Sequence, residues 1–197
     1  METKLTLDFK TSQAIIRKVG FVDSFKGKWR GLGGSESIYL KELKQIATIE
    51  SIGSSTRIEG ATMTNDEVKD FIRSIKITSF KSRDEQEVFG YYEVLSLILE
   101  SYRNIPLTEN NIHQLHKLLL KESSKDSHHR GNYKKLSNKV VANYPGGHQK
   151  VIFATTSPHL VAVEMTALVD WTSRNLAEGE LHPLIVIATV SSQTDLV

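Results

Sequence analysis

Apolar residues recur three and four positions apart along most of the 197-residue chain, which is the spacing of one face of an α-helix. The longest example covers residues 84–102, with Val88, Tyr91, Leu95 and Ile98 at that spacing. Strand-like sequence is confined to one region further along the chain. The pattern therefore predicts a mainly α fold and limits the sheet content to a single hairpin.

Capping residues indicate where the helices begin. Thr64 and Glu67 stand three positions apart as in a capping box, in which the hydroxyl and the carboxylate each satisfy a backbone N–H. They predict a helix that runs through about Ile75. Thr108 likewise predicts the N-cap of a helix that runs through Leu120.

Three more helices follow from apolar spacing and from proline. One runs toward Ile52, and another begins at Ser157-Pro158, where serine is the N-cap and proline the first helical residue. His182-Pro183 opens a last helix, which is apolar enough that we expect it to be buried. In the helix toward Ile52, the apolar residues that share one face are Ile38, Leu43, Ile46 and Ala47. In the helix that begins at Ser157-Pro158, the residues expected to face the core are Val161, Met165, Leu168 and Trp171.

The sequence changes character after residue 122. Ser123 to His129 is rich in polar residues and predicts a solvated loop. Asn138 to Ala142 and Lys150 to Ala154 are rich in β-branched residues, and they flank Tyr144-Pro145-Gly146-Gly147. Glycines at such a turn predict a β-hairpin over about 138–154.

Composition excludes several classes of site and partner. The chain has no cysteine, so a disulfide, a thiol nucleophile and a Cys-ligated metal are excluded. A net charge of +2 argues against nucleic acid and against an anionic membrane surface as partners. The charged N-terminus lacks the apolar segment of a secretory signal, and no apolar run is long enough to span a bilayer. We therefore expect a cytoplasmic protein.

Several short motifs share an order and spacing. Ser55-x-x-x-Glu59-Gly60 comes first, and the downstream motifs are Leu115-His116, Gly131-x-Tyr133-Lys134, Asn138-x-Val140 and the segment from Pro158 to His182-Pro183. Together they resemble Fic-family proteins that carry an inhibitory helix ahead of the catalytic core. The resemblance covers roughly residues 43–188.

The resemblance implies a mainly α, Fic-like helical core with one β-hairpin, the flap, and an incomplete C-terminus. It divides the chain into an N-terminal helical region over 1–105, a partial Fic domain over 106–190 and a divergent tail over 191–197. The inhibitory helix would be a separate short helix over about 53–60.

The family transfers AMP from ATP, with Mg²⁺, to hydroxyl groups of target proteins. Its signature, His-x-Phe-x-Asp/Glu-Gly-Asn-Gly/Lys-Arg, supplies the base, the metal ligand and the phosphate-binding arginine, and it is absent from the 197 residues. We therefore expect no catalytic residue in this chain, no productive binding of ATP or Mg²⁺ and no AMP transfer. A truncation, a frameshift or a premature stop just before the signature would explain the pattern.

Two candidate sites have competing interpretations. By resemblance, Ser55, Glu59 and Gly60 belong to the inhibitory helix, and Glu59 blocks the position of the ATP γ-phosphate. The alternative is an exposed glutamate before a glycine helix cap. The flap residues Val151, Ile152 and Phe153 would hold a target peptide that adds to the edge of the hairpin, or they would simply pack into the core.

Other readings of the chain stay open. His113 and His116 share a helix face and either bind a metal without an evident third ligand or pack as an ordinary pair. The whole chain is either an inactive adenylyltransferase fragment or a non-enzymatic interaction module, including a homodimer. DNA binding, which occurs in some family members, is disfavoured by the small net charge.

Overall fold

A computed structural model describes residues 9–31, 38–74 and 80–194 of the chain. The described part contains seven α-helices, a short 3₁₀ turn and one hairpin. The elements are α1 (Phe9–Gly31), α2 (Ile38–Ile58), α3 (Asn65–Ser74), α4 (Arg83–Ser101), the 3₁₀ turn (Tyr102–Asn104), α5 (Glu109–Leu119), β1 (Lys139–Asn143), β2 (Gln149–Ala154), α6 (Pro158–Glu178) and α7 (Pro183–Thr194). The predicted mainly α fold with one hairpin is confirmed.

The predicted caps are confirmed. The backbone N–H of Thr64 donates to Glu67 Oε2 at 2.8 Å, and the N–H of Glu67 donates to Thr64 Oγ1 at 3.3 Å. The N–H of Asn111 donates to Thr108 Oγ1 at 3.2 Å. These bonds satisfy N–H groups that a helix leaves unpaired at its start. The predicted end of the first helix at Ile75 lies outside the described residues.

Helices α2, α3 and α4 pack around one apolar core. Ile49, Ile52, Val68 and Val88 are buried there, with Phe71 among the partly buried residues around them. This core uses the C-terminal half of α2, so the apolar face in the N-terminal half of the helix does not contribute to it. The residues exposed there are Ile38, Leu43, Ile46 and Ala47.

A second apolar core joins α5, α6 and α7. Val161, Met165 and Leu168 of α6 are buried as predicted. Trp171 is only half-buried, and Thr172 is the buried residue one position later. The buried face of α6 is therefore as predicted through Leu168, but not at Trp171.

The last helix differs from expectation in two ways. It is not fully buried, since Val186 is inaccessible while Leu184 and Ile187 are 42% and 57% exposed. Its apolar residues surround the helix, but only one face meets α6. The helix also continues through Thr194, into the segment predicted to be a tail without pattern; residues 195–197 lie outside the described part.

The hairpin follows the predicted turn. Val140 pairs with Phe153 and Val141 with Val151, so Ile152 is the extra residue of a β-bulge. Gly146 and Gly147 have φ angles of 90° and 82°, which favour glycine. The strands begin and end within one residue of the predicted hairpin bounds.

Helix α1 was not predicted, because its apolar residues do not keep to one face. Asp23 Oδ1 of this helix lies 3.3 Å from His182 Nε2, next to the start of α7. None of the helices described is long and apolar enough to cross a membrane.

Candidate functional site

The motif Ser55-x-x-x-Glu59-Gly60 forms the C-terminus of α2. The N–H of Ala61 donates to the carbonyl of Thr56 at 3.0 Å, and the N–H of Gly60 donates to that of Arg57 at 3.1 Å. With Gly60 at a φ of 99°, these two bonds are those of a Schellman motif. The predicted cap role of Gly60 is therefore confirmed.

Residues 53–58 continue α2, so a separate short helix over 53–60 is wrong. Gly53 is buried within α2, and a Cβ there would lie 2.5 Å from Asn65 Oδ1 and 2.8 Å from Arg57 Nη1. Arg57 and Asn65 are themselves joined by a hydrogen bond of 3.0 Å. Gly53 thus lets the start of α3 approach α2 without breaking the helix.

Ser55 and Glu59 line a cavity of about 650 Å³. Its wall consists of the C-terminal end of α2, one face of α4, the end of α5 and the loop that follows α5. Ser55 Oγ donates to Tyr91 Oη of α4 at 2.9 Å, which ties the end of α2 to that wall. Glu59 is exposed, and its carboxylate borders the cavity without being buried.

The charges that line this cavity are mixed. Arg83 and Lys125 are the cations, and Glu59, Glu87 and Asp126 are the carboxylates. Arg83 Nε lies 2.5 Å from Glu87 Oε1, so that guanidinium already has an anionic partner. With the histidines neutral, carboxylates outnumber cations in the lining.

His116 of α5 lines the same cavity and is held by the chain beyond it. The backbone N–H of Gly131 donates to His116 Nδ1 at 3.2 Å, so the neutral ring carries its proton on Nε2. Burial, followed by the nearby His129 and His113, lowers the pKa of His116. His113 instead packs edge-on against the Tyr133 ring at 4.4 Å, so the two histidines have separate packing roles.

The segment from Ser123 to His129 is not a simple solvated loop. Ser123 is buried, and its hydroxyl donates to Asp126 Oδ2 at 2.7 Å. His129 Nε2 lies 3.0 Å from Asp126 Oδ1, and the Ser123 bond is the main reason that the pKa of Asp126 is lowered. Local side-chain bonds therefore fold this segment against the cavity.

The Gly131-x-Tyr133-Lys134 motif connects α5 to the hairpin. Tyr133 Oη donates to Glu109 Oε2 at 2.5 Å, and Thr166 Oγ1 of α6 donates to Glu109 Oε1 at 2.6 Å. These two bonds, Thr166 first, lower the pKa of Glu109. Burial and the same carboxylate raise the pKa of Tyr133. Lys134 Nζ donates to Thr155 Oγ1 at 2.7 Å, just after β2.

The flap residues are accessible where their side chains are described. Val151 and Ile152 are 47% and 53% exposed, so these two do not pack into the core; the side chain of Phe153 lies outside the described residues. Ile152 is the bulged residue of the hairpin and lacks a cross-strand partner. Their role in holding a target peptide stays a prediction.

The structure brings only part of the predicted site together. The cavity joins Ser55 and Glu59 to residues that the sequence did not place there, and the histidines at 116 and 129 are the clearest of these. Leu115-His116 was a recognisable motif, but the spacing alone did not show that His116 lines one cavity with the end of α2. The described residues that share this cavity with Glu59 include none from the flap or from α7. The role of Glu59 in blocking the γ-phosphate position stays a prediction.

Several solved structures share this fold, and two of them show the extent of the similarity. One is a Fic domain containing signaling protein from Bacteroides thetaiotaomicron, with 26% identity and a TM-score of 0.70 over 86% of this chain and 62% of that chain. The other is a Fic family protein from Desulfovibrio desulfuricans, with 18% identity and a TM-score of 0.71 over 100% of this chain and 54% of that chain. This chain thus spans less than two thirds of each. No model of a protein family and no curated protein matches its sequence.

Proposed function

We propose, on the premise that this chain has the Fic-family fold, that it is the regulatory and target-docking part of a protein adenylyltransferase and does not itself transfer AMP. The observation that carries the proposal is the fold together with the position of Ser55-x-x-x-Glu59-Gly60 at the end of α2. There the capped helix holds Glu59 at the edge of a cavity of about 650 Å³.

Glu59 has the chemistry of an inhibitory residue. A carboxylate at the edge of a nucleotide site repels a phosphate and competes with it for a cation. The arginine that would pair with Glu59 belongs to the signature, which these 197 residues do not contain. Arg83 borders the same cavity but pairs with Glu87. Under this proposal, Glu59 would occupy the inhibitory position without its arginine partner.

The cavity residues do not fit an ATP triphosphate. Phosphate groups are held by cations and by backbone N–H groups at a helix N-terminus or in a glycine-rich turn. The lining offers three carboxylates, and one of its two cations is already paired. General base catalysis also requires a group within reach of the target hydroxyl, and the family's base is part of the missing signature. We derive no catalytic step for this chain.

The hairpin would supply the docking function. A target segment would add to the edge of the two-stranded sheet through main-chain hydrogen bonds, and the exposed Val151 and Ile152 would contact its side chains. The bulge at Ile152 places that side chain outside the regular pairing. The target protein would thus be bound without being modified.

The proposal is tested by AMP transfer with and without Glu59. The chain and Glu59→Gly are incubated with labelled ATP, Mg²⁺ and a protein extract, and label on protein is measured. We expect none from either, because removing an inhibitor cannot restore a missing base. A Fic protein that contains the signature, with and without the same change at its own inhibitory glutamate, is the positive control.

Label above a heat-killed control, with more label from Glu59→Gly, would contradict the proposal. It would mean that the chain transfers AMP with residues other than those of the signature. An ATP titration by calorimetry gives an independent readout. We expect a dissociation constant weaker than about 1 mM, which corresponds to roughly −4 kcal/mol of binding free energy. Tighter binding would mean that the cavity accommodates the triphosphate after all.

A non-enzymatic interaction module is the second candidate, and the exposed apolar residues favour it. Leu184 and Ile187 of α7 are 42% and 57% exposed, and Phe21 of α1 is 76% exposed. Apolar surface of this kind marks interaction sites. Light scattering across a concentration series distinguishes a homodimer, in which Ile187→Glu should reduce self-association, from a monomer that binds only other proteins.

A further inference from the structure

A second cavity, of about 380 Å³, lies between α2 and α3, away from Glu59. Four cationic side chains line it: Lys41 and Lys44 from α2, and Lys69 and Arg73 from α3. We call this cavity the basic groove. Its volume falls within the range of ligand sites in proteins.

The basic groove differs from the first cavity in its charge. Among the residues that the structure describes, no carboxylate lines it, whereas the first cavity has three. Across residues 9–31, 38–74 and 80–194, no salt bridge joins Lys44, Lys69 or Arg73 to an acidic side chain. Positive charges concentrated beside a low-dielectric surface attract an anionic partner.

The floor of the basic groove is apolar. Ile49 is buried in the core of α2, α3 and α4, and Ile72 and Tyr92 pack against it. An occupant therefore meets cations at the rim and apolar surface below. A ligand with both negative charge and an apolar side chain would match this surface better than a simple anion.

The cations are arranged in two rows instead of converging on one point. Lys41 and Lys44 are three residues apart on α2, and Lys69 and Arg73 are four apart on α3, which puts the members of each pair about 4.5 Å and 6 Å apart along the helix axis. A single phosphate would meet only part of such a set. An extended or helical segment with several carboxylates would meet both rows.

We propose that the basic groove binds an acidic peptide segment of a partner protein. The segment places an apolar side chain against Ile49, Ile72 and Tyr92 and sets its carboxylates against the two rows of cations. Charge complementarity identifies the partner's chemistry and favours rapid association. This interface is separate from the flap and does not depend on any activity of the chain.

The test uses the 197-residue chain and a fluorescently labelled peptide in which glutamates surround one leucine. Binding is measured by fluorescence anisotropy at two salt concentrations. We expect saturable binding that weakens at higher salt, since exposed charges are screened. The double variant Lys44→Glu/Arg73→Glu should bind at least about tenfold more weakly, because it reverses one charge in each row.

The matched control is Lys26→Glu/Lys28→Glu on α1, which changes the net charge equally at exposed positions outside the basic groove. It should change affinity by less than about twofold, as expected for a long-range charge effect. Circular dichroism checks that both variants are folded. A peptide with glycine in place of leucine tests the apolar floor and should bind more weakly.

Three results would overturn the proposal. The first is no saturable binding of the glutamate–leucine peptide. The second is equal loss of affinity in the groove variant and the α1 variant, which would indicate non-specific charge attraction. The third is equal binding of the leucine and glycine peptides together with full displacement by tripolyphosphate, which would identify a small polyanion as the ligand.

Discussion

Gly90→Ala should destabilise the chain at the contact between α4 and α5. Gly90 is buried in α4, and a Cβ there would lie 2.0 Å from the carbonyl oxygen of Leu119 and 3.0 Å from its carbonyl carbon. An ordinary van der Waals contact is at least 3.4 Å. Both groups belong to backbone within helices, so no side chain can rotate away and the helices themselves must separate by more than 1 Å.

The magnitude follows from two opposing terms. Overpacking of a buried contact costs roughly 1–3 kcal/mol and occasionally more, and a clash between two backbones belongs at the upper end. Alanine in place of glycine inside a helix stabilises the helix by up to about 1 kcal/mol. We expect the free energy of unfolding to fall by about 2–3 kcal/mol. The separation of α4 from α5 would also move apart Tyr91 and Leu119, which line the cavity that Glu59 borders.

Urea unfolding followed by far-UV circular dichroism measures the effect. With a denaturant slope of about 2 kcal/mol per molar, the midpoint should fall by roughly 1–1.5 M. Gly20→Ala is the matched control, since Gly20 is helical and nothing lies within 4 Å of its added Cβ; it should not lower the midpoint. An unchanged midpoint for Gly90→Ala, with an unchanged slope, would refute the close approach of α4 and α5.

Two further predictions concern the end of α2 and its neighbour His116. Gly60→Ala should cost about 1–2 kcal/mol of unfolding free energy, because a left-handed residue with a Cβ is strained. Gly60→Asn should cost less, since asparagine tolerates that conformation. Equal urea midpoints for both variants and the unchanged chain would contradict the role of Gly60 as a helix cap. The lowered folded-state pKa of His116 means that the unfolded chain binds a proton at this histidine more readily than the folded chain does. The contribution of His116 to stability is therefore complete above about pH 6.5, the usual histidine pKa. It is lost as the pH falls below that value. In His116→Gln, the urea midpoint should change less between pH 7.5 and 5.5 than in the unchanged chain. If the midpoint changes as much as before, the pH dependence belongs to another group. The lowered pKa of Glu109 produces a separate loss of stability at more acidic pH, which this variant should keep.

The sequence by itself determined the features that depend on neighbouring residues. The capping box at Thr64 and Glu67, the cap at Thr108 and the glycine turn of the hairpin were all predicted and are confirmed. Each rests on hydrogen bonds or backbone angles within about five residues, so the information is local. The order of the motifs also indicated the Fic-family fold, which the solved structures support.

Tertiary structure decided which apolar faces are buried. Leu43 and Ile46 have the spacing of a core face, yet they are exposed because the described chain packs only the C-terminal half of α2 against α3 and α4. Helix α7 is apolar on all sides, but only the side that meets α6 is buried. Burial depends on which distant element meets a face, and spacing along one helix does not contain that information.

Tertiary structure also assembled the candidate site. Glu59 was identified from its motif, but its position in one cavity with Arg83, His116 and Asp126 requires three parts of the chain that are far apart in sequence: the end of α2, the start of α4, and α5 with its following loop. The same applies to Gly90, which sequence treats as an unfavourable helix residue and which the structure explains by the backbone of Leu119. Local propensity sets the elements, and contacts between distant residues decide what those elements enclose.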